Sequence, residues 1–217
     1  MSKKSKMPKQ HGRVGNRRHR ERKRRYLVVS GGAVTEKQYF NALETLYDVV
    51  IDYRQKNLSP PQLAKLACEL KDTDRGEDPE SSYVKVWVVV DVDCFHDHRD
   101  AEKACSAREG MELIISNPCF EVWLIDHQRV CPQSHTQTAM VEELAVREGV
   151  TEGNRGKYIC KEILDDEHIA KAVANARRHN RDDTKAKARK DLTPKREQDY
   201  APWTDMPLVI EELKKDF

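Results

Sequence analysis

No stretch of this chain approaches the roughly 20 consecutive apolar residues that a membrane span requires. The first residues also hold no apolar core of the signal-peptide kind, so a cytoplasmic protein is expected, with no membrane partner. Six cysteines (Cys68, Cys94, Cys105, Cys119, Cys131, Cys160) form no C-x-x-C pair and no regular framework. Reduced thiols are the simplest account of them. Aromatic residues are scarce at 6%, and the apolar fraction is only 38% against 35% charged. Much of the chain must therefore be solvated surface or tail, although 217 residues still suffice for one domain with an appendage. There is no internal repeat, no Ser-His-Asp arrangement and no histidine paired with a cysteine, which leaves acyl-transfer chemistry unsupported.

The net charge of +2 conceals an asymmetry. Residues 1–25 carry twelve Lys/Arg against the single acid Glu21, leaving everything after them net acidic. One basic arm on an acidic body suits local contact with a polyanion, and nucleic acid is the favoured partner. The cluster Arg17, Arg18, Arg20, Arg22, Lys23, Arg24 and Arg25 would hold a phosphate backbone, with affinity that falls steeply as salt rises. A disordered, solubilising tail without a specific partner is the plainer alternative.

The rest of the chain is organised around Val84 to Phe95, VKVWVVVDVDCF. Six of the seven residues from Val84 to Val90 are apolar, mostly β-branched valine, and the run stops at two aspartates. Such a run reads as a strand buried on both faces. Asp91 and Asp93 then fall at its carboxyl end, where open α/β sheets place ligands. In extended backbone, residues two apart point to one side, so these carboxylates would converge. Converging carboxylates repel unless a cation lies between them, and hard oxygen donors suit Mg²⁺ or Mn²⁺. The plain alternative is that the two aspartates only end the strand.

Before this strand, YLVVS (26–30) reads as a strand, Gly31-Gly32 as a turn, and Thr35 as an N-cap with Gln38 completing a capping box. The helix that follows carries Tyr39, Phe40, Leu43, Leu46 and Tyr47 at helical spacing. G-G-x-x-T resembles a phosphate cradle but lacks the Walker lysine. Residues 48–54 read as a second strand, and a helix runs from Ser59-Pro60-Pro61 to about Lys71. After the central strand come a helix to about Glu109, a strand MELIIS (111–116), and a helix started by Asn117 as N-cap and Pro118. That helix turns Phe120, Trp123 and Leu124 inward. Segments 136–148, 157–164 and 165–180 read as helices, 151–156 as the loop joining the first two. Residues 177–199, with nine Lys/Arg and five acids, read as a solvated helix face or an arm. A last helix is expected over Pro207–Asp216.

Strands alternating with helices over 26–127 predict a mostly parallel sheet covered on both faces. Glu36 and Glu121 each stand in the first turn of a helix that starts at the carboxyl edge of this sheet. Either could merely complement a helix dipole or could join Asp91 and Asp93. Cys94, His96 and His98 permit a zinc site, but ligands packed this tightly rarely close one tetrahedron. A phosphate contact or an acid/base role is the other reading of the two histidines, and a surface role is the plainest.

Three separated segments, VVSGGAVTEKQYF (28–40), VWVVVDVDCF (86–95) and SNPCFEVWLIDH (116–127), resemble the RloB-like family, small proteins related to Toprim-type nucleases and found beside phage-defence genes. APWTDMPLVIEEL (201–213) is similar to that family's closing motif. The resemblance implies a Toprim-like α/β domain over residues 26–130, preceded by the disordered basic tail 1–25. A helical extension, 131–217, would pack on that domain. Asp91 and Asp93 match the magnesium-holding D-x-D, Glu36 the glutamate of a T-E pair, and Asn117 and Glu121 the N-P-x-F-E motif. Where the family usually reads E-G after strand one, this chain has Gly31-Gly32, so the first Toprim glutamate is absent.

The activity implied is metal-dependent phosphodiester hydrolysis of DNA or RNA in anti-phage or abortive-infection defence. Asp91, Asp93 and Glu36 would hold Mg²⁺ or Mn²⁺, and Glu36 or Glu121 would complete the shell or act as base. Gly31 favours an alternative, a non-catalytic nucleic-acid-binding or sensor subunit. A nucleotide hydrolase using the same carboxylates is a third reading. A partner such as an ATPase or another defence-system protein is left open.

Overall fold

The computed structural model describes residues 22–77, 82–93, 95–153 and 156–215. Four parallel strands form its centre: β1 (Arg25–Ser30), β2 (Val50–Gln55), β3 (Lys85–Asp91) and β4 (Met111–Asn117). A short fifth strand of this sheet, labelled β7 (Trp203–Thr204), runs antiparallel to β4 and gives the order β2-β1-β3-β4-β7. Valine runs build this sheet because both its faces are covered. Alternate residues therefore enter two different cores. Tyr26, Val28, Trp87, Val89 and Ile114 face one side, where the Tyr26 and Trp87 rings stack at 4.9 Å. Leu27, Val29, Val86, Val88, Val90, Leu113 and Ile115 face the other.

The first face is covered by α1 (Thr35–Leu46), α4 (Glu121–Asp126), α5 (Thr138–Arg147), α6 (Asp166–His179) and α8 (Met206–Leu213). The second is covered by α2 (Pro60–Glu77) and α3 (His98–Ser106). The strand order has a consequence for function. The connection from β1 passes over one face to β2, and the connections to β3 and β4 pass over the other. The crevice where such connections part, at the carboxyl ends of β1 and β3, is where doubly wound sheets bind ligands.

Residues after His127 do more than pack against the sheet. Trp203 and Thr204 extend it, and Val141, Ile169, Ala172, Val209 and Leu213 share a core with Tyr26 and Trp87. Residues 157–164 are not a helix. Thr151–Glu152 (β5) pairs with Tyr158–Ile159 (β6) as an antiparallel hairpin, followed by one 3₁₀ turn at Lys161–Ile163. Gly153 and Gly156 take positive φ (77° and 59°) in this hairpin, a conformation a glycine adopts without strain.

Two expected caps are also different in fact. Thr35 is the first helical residue and its hydroxyl donates to the Lys157 carbonyl, while Gln38 accepts from the Ile159 N–H. Both side chains hold the hairpin instead of capping α1. Asn117 ends β4 and donates to the Glu197 carbonyl, and α4 begins four residues later at Glu121. That helix is buried along its whole length, Glu121 to Asp126, not on one stripe. The charged segment 177–199 contains a true helix, α7 (Asp183–Asp191), capped by Asp182, which accepts from the N–H groups of Thr184 and Lys185. No helix among the described residues is long and apolar enough to cross a membrane.

α7 is tied to the sheet by one ion pair. Arg189 donates through Nε and Nη2 to Asp205 at 2.9 and 2.6 Å. The same carboxylate accepts from Trp203 Nε1 at 2.7 Å and from the Ile115 N–H at 3.0 Å. Breaking a buried pair leaves an uncompensated charge, so Asp205→Ala should destabilise the protein by about 3–5 kcal/mol in urea unfolding. The double variant Arg189→Met/Asp205→Ala should cost less than the two single changes added together.

Candidate functional site at the switch point

The loop after β1 is pinned from below by β2. Ser30 Oγ accepts from the Gly32 N–H (3.1 Å), Tyr53 OH donates to the Gly32 carbonyl (2.7 Å), and Gln55 Nε2 donates to the Gly31 carbonyl (3.1 Å). A Cβ on Gly32 would collide with the carboxyl group of Glu36, which folds back over it, so a side chain there would displace that carboxyl from its present position. Gly31 is under no such restriction. A Cβ on it would meet only the Lys56 carbonyl oxygen, at an ordinary 3.9 Å.

β3 ends at Asp91, whose backbone carbonyl accepts from His98 Nε2 at 3.1 Å. His98 is buried at the start of α3, and this bond fixes the tautomer with the proton on Nε2. The chain then turns instead of running on extended. Val92 buries itself, its N–H shared between the Ser116 and Pro118 carbonyls, and Asp93 takes a left-handed φ of 37°. An aspartate tolerates that conformation better than most residues. Asp91 and Asp93 thus reach the same space through a turn and not through strand alternation.

Glu121, only 5% exposed, enters from the first turn of α4. From α5, Thr138 donates to Asp93 Oδ1 (3.3 Å), and Glu142 accepts from Lys157 Nζ (3.2 Å). Together these elements enclose a cavity of about 480 Å³ at the carboxyl ends of β1 and β3. Its lining includes five carboxylates (Glu36, Asp91, Asp93, Glu121 and Glu142) and one basic side chain, Lys157. Leu58, Leu63, Phe95 and Phe120 complete the wall.

The electrostatics follow from this crowding. Burial and the neighbouring Glu121 push the Glu36 carboxyl above its ordinary value, while its own backbone N–H and Lys157 pull the other way. Asp91 is raised well above the ordinary carboxylate range by burial and by Glu36, Glu121 and Asp93, against a smaller opposing effect of Lys157. Burial also works against the Lys157 ammonium, but Glu121, Glu142 and Glu36 outweigh it and hold its proton on more tightly. The donor set is all oxygen and strongly negative, which fits a hard divalent ion. Among the described residues no three carboxylate, imidazole or thiol groups already converge as a ligand set. The fit lies in donor type and charge.

Glu36, Asp91, Asp93 and Glu121, the acids singled out in the sequence, therefore line one cavity. Lys157, Glu142 and Thr138 were not anticipated. The hairpin signal T-E-G-N-R-G-K, two glycines between short β-prone runs, was there to be read for Lys157. His96 bonds Glu197 at the surface (3.0 Å), apart from His98, and Cys94 lies outside the described residues. Arg17, Arg18 and Arg20 also lie outside them. Arg22 is exposed, and Lys23 pairs with Asp48 on the surface. Arg24 donates to the Leu213 carbonyl (2.8 Å), and Arg25 bridges Asp52 and Asp74 beneath the Tyr83 ring. This segment enters β1 at the amino edge of the sheet, about 17 Å of strand away from the cavity.

A group held above its ordinary pKa by the fold contributes stability that is complete below its unfolded value and lost as pH rises through the folded value. Asp91→Asn removes that penalty. With chelator present, the variant should melt a few degrees above wild type at pH 7.5. The gain should shrink as pH falls toward about 4, the ordinary carboxylate range. Thermal melts across that pH range check both sign and trend.

The model of the family described as RloB-like protein matches residues 26–213. No curated protein matches the chain, and no solved structure does. The matched span takes in every strand that ends at the cavity except the first residue of β1, and all five of the cavity's carboxylates. The chain belongs to the RloB-like family.

Proposed function

We propose that this protein is a Toprim-like, divalent-cation-dependent nuclease of the cytoplasm, hydrolysing phosphodiester bonds of DNA or RNA in defence against phage. One observation carries the reading: five carboxylates, from three helices and from the end of β3 and the turn after it, line one cavity at the switch point of a parallel sheet together with the ammonium of Lys157. A phosphodiester carries negative charge and would be repelled from this cavity unless cations entered with it. Asp91 and Asp93 would hold Mg²⁺ or Mn²⁺, with Glu36 or Glu121 completing the shell. The ion would supply Lewis acidity toward a phosphoryl oxygen and activation of water.

The chain's own residues do the remaining work. Glu36, whose affinity for a proton is raised by burial, is suited to take one from the attacking water. His98 fixes the Asp91 backbone, and Tyr53 and Gln55 fix the loop over which Glu36 lies. Leu58, Leu63 and Phe120 make part of the cavity wall apolar. The basic segment Arg17–Arg25 holds the nucleic-acid backbone electrostatically. Such contacts position a substrate without reading its sequence. With Lys23, Arg24 and Arg25 engaged within the fold, most of that attraction would fall to Arg17, Arg18 and Arg20. The defence role rests on family membership, and an ATPase or other defence-system protein is the partner class it suggests.

A second reading is favoured by Gly31, which offers no carboxylate where the family pattern has one. On that reading the protein binds nucleic acid without cutting it, as a sensor subunit.

Incubating mixed DNA and RNA with Mg²⁺ or Mn²⁺ separates the two. Wild type should cut, and Asp91→Asn/Asp93→Asn should fall to background while still binding. Glu36→Gln should cut about 10²–10⁴-fold more slowly if it is the base. Wild-type protein that binds but never cuts with either metal would favour the sensor. Cutting that survives the double substitution would remove the carboxylates from the mechanism.

A further inference from the structure

We infer that Lys157 is a tethered counter-cation of the carboxylate cavity, and that it sets the cavity's affinity for a divalent ion by competing with it. The inference rests on the metal reading above. It concerns a residue to which neither the sequence motifs nor the family pattern assigns a role.

Its place in the fold is specific. The Lys157 backbone carbonyl is held by Thr35 Oγ1 (3.2 Å), and the Ile159 N–H is held by Gln38 (3.1 Å). Thr35 and Gln38 flank Glu36 on α1, so the hairpin is registered against the helix that supplies one of the acids. The ammonium then donates to Glu142 (3.2 Å) and lines the same cavity as Glu121, Glu36 and Asp91. It is the basic side chain among the lining residues. One positive charge against five carboxylates offsets part of their repulsion and leaves the cavity strongly negative.

A divalent ion entering this space would gain attraction from every carboxylate and meet repulsion from Lys157. Two features let the lysine yield. Its side chain is 45% exposed, so the ammonium has a path to water. The hairpin strands are two residues each, short for stability of their own, and Gly153 and Gly156 between them take positive φ.

Isothermal titration of the full-length protein with MnCl₂ and with MgCl₂ tests this, beside thermal melts with chelator and with metal. Lys157→Gln keeps a donor for Glu142 and removes the charge. Lys157→Met removes both and serves as the second variant. Each should bind Mn²⁺ roughly tenfold more tightly than wild type, as expected for losing one like charge at this range. Each should melt lower than wild type in chelator and recover the difference when metal is added. Lys157→Arg should stay near wild type in both measurements. Wild-type binding with equal or weaker affinity in both neutral variants would overturn the inference and leave the metal site standing. Melting points lowered equally with and without metal would also overturn it, since a purely structural lysine would behave that way. Absence of Mn²⁺ and Mg²⁺ binding in wild type and variants alike would overturn the metal reading itself.

Discussion

Repulsion among carboxylates at the ends of β1 and β3 is the constraint to which the other parts of this molecule answer. A parallel sheet clothed on both faces exposes little but its strand ends. Here the strand order opens a crevice at the carboxyl edge between its two central strands. Gathering Glu36, Asp91, Asp93, Glu121 and Glu142 around that crevice costs stability, and the fold spends few counter-charges on it. Glu36 is steadied by its own backbone N–H, Asp93 by the Thr138 hydroxyl, and Glu142 by Lys157. On the reading proposed above, cations from outside would complete a cluster so little compensated from within.

The same constraint explains why residues beyond His127 belong to the working structure. α5 delivers Thr138 and Glu142, and the β5–β6 hairpin delivers Lys157. Neither could stay in place without the shared core that joins α5, α6 and α8 to the sheet face bearing Tyr26 and Trp87. The Arg189–Asp205 pair fastens α7 to the junction of β4 and β7. The last third of the chain therefore builds one wall of the cavity and one edge of the sheet. Residues 22–24 lead into β1 at the amino ends of the strands, opposite the cavity. A nucleic acid touching both would have to run alongside the sheet, across the strand ends and down to the root of β1.

Much of the sheet was legible because burial on both faces leaves a plain mark: VKVWVVV can hardly be anything but a central strand. The acids were legible because each follows a strand or opens a helix at one edge, so topology alone draws them together. What escaped were interactions between segments far apart in sequence. Thr35 and Gln38 have the spacing of a capping box, yet they serve a hairpin about 120 residues away, and no local rule distinguishes the two uses. Asn117 likewise spends its amide on the Glu197 carbonyl. The short strands β5, β6 and β7, two residues each, lie below the length at which alternation can be detected. Lys157 goes with its hairpin, whose mark in the sequence is the pair of glycines in T-E-G-N-R-G-K and not alternation.

The Gly-Gly after β1 carries two different meanings in one dipeptide. Gly32 is bound to Glu36: the carboxyl group occupies the volume a side chain would need, so that glycine and that glutamate form a single arrangement. Gly31 has open space beside it, so its lack of a side chain is not imposed by packing. A carboxylate at the end of β1 is therefore supplied from the first turn of α1, reaching back over the loop, instead of from the loop itself. Such a carboxylate is held by a helix, and a helix keeps position better than a loop does. It is also fastened through Thr35 and Gln38 to the hairpin that carries the opposing lysine. Glu36 and Lys157 are thus linked through α1, and whatever shifts the hairpin acts on that helix at Thr35 and Gln38, beside Glu36.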